Sequence, residues 1–68
     1  MFKMIKTRSE RKLVNTTQIS SIDTSSYYDS NNNEINIYEI TVSDGSRFTV
    51  LEKDYGTLDE LCDFLNSN

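Results

Sequence analysis

One cysteine, three clustered carboxylates and a small set of arginines and tyrosines are the residues of this chain whose types could carry chemistry. Cys62 is the sole thiol and there is no His. No intramolecular disulfide, no imidazole-activated nucleophile and no imidazole-bearing zinc site can therefore be assembled. Cys62 also falls in an apolar helical stripe with no neighbouring cation to hold a thiolate, so it reads as a small buried hydrophobe. Asp59, Glu60 and Asp63 could serve as acid/base groups or metal ligands, but a helix cap and a solvated helix face explain them more simply. Asp29, Asn31 and Asn33 match the first three ligand positions of a calcium-binding loop, yet Glu34 stands where that loop needs Gly and Ile40 where it needs a bidentate Glu. An ordinary hairpin loop is the simpler account. No catalytic, cofactor or metal-binding residue is expected, and the chain does not read as an enzyme.

What remains is surface chemistry. Tyr27 and Tyr28, together with Arg8 and Arg11, are of the types enriched where interface energy concentrates, and they are the candidate protein-binding residues. The competing account half-buries these tyrosines on a small sheet and places Tyr38 in the core.

Charge is unevenly distributed. Up to Leu13 the chain carries five cations against Glu10, a net +4; beyond it Arg47 and Lys53 face ten carboxylates, a net −8, which together return the overall −4. An acidic chain with one basic end disfavours tight nucleic-acid binding, because the remaining surface opposes phosphate. The two ends can instead complement each other, within a monomer or between subunits. No apolar run approaches the roughly 20 residues that span a bilayer, and the first residues lack a continuous hydrophobic region of signal-peptide length. A soluble, cytoplasmic protein with no membrane partner is expected.

The elements that would position these residues follow from periodicity. Tyr38, Ile40 and Val42, then Phe48 and Val50, recur with a period of two around Asp44-Gly45, which marks a β-hairpin. A two-residue turn would set Val42 opposite Arg47 and mix core with solvent positions. A three-residue loop, Ser43-Asp44-Gly45, pairs Ile40 with Phe48 and Tyr38 with Val50, with Gly45 left-handed. Ile35 and Ile37 fall in the opposite phase, so either a bulge lies at Ile37-Tyr38 or this is a central strand with apolar contacts on both faces. Thr57-Leu58-Asp59-Glu60 is a capping box, and Leu58, Leu61, Cys62 and Leu65 form one helical stripe, with Phe64 at its margin.

Strands are expected near 2–7, 12–15, 19–28, 35–43 and 46–52 and a helix over 57–66, all in one domain. For the first strand the buried face is ambiguous: Phe2 and Met4 lie on one side, Lys3, Ile5 and Thr7 on the other. The fold class is α+β, a small antiparallel β-meander of four to five strands with the C-terminal amphipathic helix packed on one face. With 68 residues, 35% of them hydrophobic, and no Trp, the core must be thin. Self-association as a homodimer or larger assembly would add burial without lengthening the chain.

The elements Ile5, Thr7-Arg8, Val14-Asn15, Ile19, Ile22, Asp44-Gly45, Val50 and Glu52, followed by the helix, resemble the small flagellar FlbD-type family across most of the chain. That resemblance implies a small accessory module and no particular reaction. Ile22 to Leu65 is also similar to the end of LytTR-type DNA-binding domains, with their Asp-Gly hairpin and Leu-rich helix, although the corresponding region here is acidic. The functional expectation is a non-catalytic protein-interaction or regulatory module, of a type that suits a phage or mobile-element accessory protein acting on a host factor. The alternative is a nucleic-acid-associated module using the basic N-terminal segment.

Overall fold

The computed structural model describes residues 1–67. Five strands run β1 Phe2–Lys6, β2 Arg11–Asn15, β3 Ile19–Tyr28, β4 Glu34–Val42 and β5 Arg47–Leu51, followed by a single helical turn, α1 Glu52–Tyr55, and by α2 Leu58–Asn66. The strands are all antiparallel to their neighbours but form two sheets, β1-β2 and β3-β4-β5. The continuous meander expected from the sequence is thus divided. Asn15 accounts for the break: its side chain accepts from the Thr17 N–H and caps a 3-10 turn over Thr16–Gln18, which redirects the chain before β3 starts.

β4 is the central strand of the larger sheet, and its two faces are both apolar without any bulge at Ile37-Tyr38. Tyr38 and Ile40 face the core, where they meet Val50 of β5, Ile5 and Val14 of the β1-β2 hairpin, and Leu61 and Leu65 of α2. Ile35 and Ile37 point to the opposite, back face. The one irregularity of register lies instead between Ile19 and Ser21 of β3. The β4-β5 hairpin adopts the three-residue loop: the Val42 N–H donates to the Ser46 carbonyl at 3.0 Å, Ile40 pairs with Phe48, Tyr38 pairs with Val50, and Gly45 has φ +91°. The Asp44 side chain accepts from the Ser46 N–H at 2.8 Å and closes the turn.

Between β5 and the long helix, Glu52–Tyr55 wind into one turn before Gly56, where the chain takes φ +81°. A Cβ there would lie 2.6 Å from Glu60 Oε1, the atom that accepts the Thr57 N–H in the reciprocal capping box. The positive φ favours glycine, and a Cβ would push the Glu60 carboxylate out of the capping box. The Tyr38 hydroxyl reaches from the core to donate to the Gly56 carbonyl at 2.7 Å and so ties the linker to the central strand. The helical stripe is only partly covered: Leu61 and Leu65 are buried, Cys62 is half-buried, and Leu58 at 38% exposure stands outside the core. Phe64 takes up the packing that Leu58 does not, with its ring 5.1 Å from that of Tyr55.

Two outcomes follow. Leu61→Ala should cost about 2–5 kcal/mol in urea unfolding, whereas Leu58→Ala should stay within about 0.5 kcal/mol. Burial, with lesser contributions from Glu52, Glu60 and Cys62, raises the Tyr38 phenol above its ordinary 10.0. Its contribution to stability is complete below the unfolded value and is lost as pH climbs from that value through the higher folded one, because the unfolded phenol ionises first. Alkaline urea titrations should show that loss in the parent and a flatter profile in Tyr38→Phe.

Candidate interaction surfaces

The four candidate residues fall in three places. Arg8 and Tyr27 meet: the Arg8 guanidinium lies 4.0 Å from the centre of the Tyr27 ring. The Arg8 N–H donates to the Thr49 carbonyl on the far edge of the sheet, so its side chain must cross the back of β4 to reach β3. Ile37, on the same back face, is 9% exposed. Tyr28 points the other way, as the alternation of a strand demands, and is 65% exposed. Arg11 belongs to the hairpin, on a different side of the molecule.

The hairpin carries a surface that the sequence left ambiguous. Ile5, Thr7 and Val14 are buried, so the alternate residues face outward: Phe2, Met4 and Leu13 are 66%, 53% and 61% exposed. Met4 and Leu13 are direct cross-strand neighbours, and at the loop end Lys6 pairs with Arg11. A groove continues this face past the edge of β1, lined by Met4, Lys6, Arg11, Asp54, Tyr55 and Phe64. The signal for it lay in the period of two, but only the packing partner decides which phase is buried.

Most hairpin cations already have partners. Lys6 Nζ is 3.3 Å from Asp54 Oδ1; Lys3 donates to the Ser67 hydroxyl at 2.7 Å and lies 4.6 Å from the Phe64 ring centre. Lys12 sits 5.2 Å from the Phe48 ring centre, and the Lys6 N–H donates to the Tyr55 hydroxyl at 2.7 Å. Among the described residues Arg11 has no such contact. Among the described residues one cation of the basic end, Lys6, meets a carboxylate, while Lys3, Arg8 and Lys12 rest against aromatic rings.

Asp29 of the β3-β4 loop is occupied by its own backbone: one carboxylate oxygen accepts the N–H groups of Asn31 and Asn33, each at 2.9 Å. The Asn33 backbone bond is the main reason its carboxyl is held below the ordinary value. Asn32 supplies the left-handed residue at φ +63°. No group of three or more His, Cys, Asp or Glu side chains among the described residues is placed to hold a metal ion, and no helix is long and apolar enough to cross a membrane.

The Arg8-Tyr27 contact should be worth about 0.5–1 kcal/mol at this exposure. A double-mutant cycle of Arg8→Ala and Tyr27→Ala in urea unfolding should return that coupling, and additive losses would deny it. Comparison with family models, curated proteins and solved structures finds nothing that matches this chain.

Proposed function

We propose that the chain is a small, non-catalytic protein-interaction module of the cytoplasm whose partner binds the outward face of the β1-β2 hairpin. The observation that carries this reading is the exposure of Phe2, Met4 and Leu13 side by side on one two-stranded surface. Leaving these three large apolar side chains more than half exposed forgoes part of the about 1.5–3 kcal/mol that full burial of each would contribute. In a domain of this size that is a large fraction of the total stability, so a face of this kind is better suited to binding than to folding.

The rim states the chemistry of the partner. Arg11, across from the Asp54-paired Lys6, flanks the apolar residues at the loop end, which favours a protein surface with one or two large apolar side chains beside a carboxylate. The groove at Tyr55 and Phe64 offers room for one of them. The resemblance to the FlbD-type family supports the same class, an accessory module acting through a partner.

A nucleic-acid role is the second reading, and it rests on the clustered cations of this segment. It is the weaker one because Lys3, Lys6, Arg8 and Lys12 are engaged with their own chain, leaving Arg11 to contact phosphate.

Affinity capture from the source cell with the parent chain, Leu13→Glu and Tyr28→Ala tests the reading. A specific partner should be retained by Tyr28→Ala and lost, by tenfold or more, on Leu13→Glu, which leaves the buried face untouched. Equal recovery by all three would move the site elsewhere. A mobility shift at low salt that is abolished by Arg11→Ala would favour the nucleic-acid reading instead.

A further inference from the structure

The backbone pattern identifies a second, independent surface on the opposite side of the molecule. In an antiparallel pair, alternate residues direct their N–H and C=O groups toward the partner strand and the others direct them away. The Asp29 N–H donates to the Asn33 carbonyl, which sets the phase of the β3-β4 ladder. Tyr27, Ser25 and Asp23 are then bonded to β4, while Ile22, Thr24, Ser26 and Tyr28 point their backbone groups away from the sheet. β3 is an edge strand, and among the described residues none of these four has a backbone hydrogen bond on that side.

This is the longest open edge of the fold, and it lacks the usual protections. From Ile22 to Tyr28 it contains no Pro, no Lys or Arg and one charge, Asp23; its single irregularity lies before Ser21. Thr, Ile and Tyr favour the extended state.

We infer that β3 pairs with β3 of a second copy of this chain, antiparallel about a two-fold axis through Ser25, to form a six-stranded sheet. Only pairing centred there uses all four outward-facing residues of each copy at once. It sets Thr24 opposite Ser26, Ile22 opposite Tyr28, and Asp23 opposite Tyr27 of the other copy. The first exchanges backbone bonds, and the second brings an apolar side chain against an aromatic ring.

The third pairing supplies charge complementarity. Within one chain Asp23 lies directly across from Glu39, a like-charge pair that the monomer does not compensate with an ion pair among the described residues. In the dimer, Asp23 comes beside the second copy's Tyr27, the ring that carries the Arg8 guanidinium at 4.0 Å. Opposed residues in such a pair stand about 4.5 Å apart at Cα, so the cation and the carboxylate come within the Debye length of about 8 Å at physiological salt. Arg8 thereby serves two purposes, resting on Tyr27 in its own subunit and facing Asp23 of the other. Two seven-residue strands bury less than the roughly 1,600 Å² of a standard interface, so the association should depend on concentration. It leaves the hairpin face free for a different partner.

Sedimentation of the full chain carrying Cys62→Ser, over a concentration series, should show mass rising from 7.9 kDa toward twice that value. Thr24→Pro should return it to the monomer with an unchanged circular-dichroism spectrum, because that N–H faces solvent and proline is tolerated on such an edge. In the same Cys62→Ser background, oxidised Ser25→Cys should form a disulfide dimer and Ser21→Cys should not, since the two Ser25 Cα atoms would lie about 4.5 Å apart, within disulfide range. Arg8→Asp and Asp23→Arg should each weaken association about two- to tenfold, and the double variant should recover it. A chain that stays monomeric at all concentrations, equal cross-linking at Ser21 and Ser25, or a dimer that survives Thr24→Pro but is lost on Leu13→Glu would overturn the assignment. The last outcome would place self-association on the hairpin, and the capture experiment with Leu13→Glu would then report the dimer and not a foreign partner.

Discussion

Tyr38, Ile40 and Val50 form the floor on which every other element closes. All three are buried on the same face of the central hairpin, and Ile5 and Val14 from the N-terminal hairpin and Leu61 and Leu65 from α2 rest on them. A chain with no disulfide and no Trp has few other sources of stability, so the alignment of Ile40 with Phe48 and Tyr38 with Val50 governs the whole fold. A one-residue slip would send these side chains to the back face and leave the helix with nothing to cover. The Tyr38 hydroxyl adds a second constraint from the same position, because its bond to the Gly56 carbonyl fixes where α2 begins.

The N-terminal hairpin is held to this floor differently. Its buried contribution is small, and polar contacts along the outer edge of β1 complete its attachment: Lys6 to the Tyr55 hydroxyl and Arg8 to the Thr49 carbonyl. Cation placement follows the same logic. Lys3 and Lys12 rest on aromatic rings and Lys6 on Asp54, so one ion pair joins the basic end to the acidic remainder within the molecule. Exposed pairs of this kind contribute little energy each; burial of Ile5 and Val14 is what turns Phe2, Met4 and Leu13 outward.

A thin core and open surfaces are two aspects of the same economy. The chain has enough apolar residues to cover one face of a three-stranded sheet, and those left over lie on the outer hairpin face and behind β4. The first has Arg11 at its loop end; on the side of the second, Arg8 ends on Tyr27. Beside Tyr27 runs the unpaired edge of β3. The outer hairpin face and this edge are the proposed interaction face and the proposed self-pairing edge.

Legibility in the sequence depended on how local the cause was. The Asp44-Gly45 loop and its register, the Thr57-Glu60 capping box and the start of α2 were readable because turn geometry and capping are set within three or four residues. The division into two sheets was not, since it depends on Asn15 redirecting the chain and on β2 and β3 failing to pair. Leu58 was assigned to the buried stripe by spacing alone, but the first turn of α2 lies outside the core while Phe64 packs on Tyr55. Of the four candidate surface residues, Arg8 and Tyr27 are joined across the sheet, while Tyr28 and Arg11 lie elsewhere; the period of two groups Phe2 with Met4 but leaves open whether that side is buried. The sequence by itself therefore determined the periodicities, the turns and the caps, which are consequences of neighbouring residues. Only the tertiary structure decided which phase of the N-terminal hairpin is buried and how the strands divide into two sheets, because those choices belong to whatever packs against them from far along the chain.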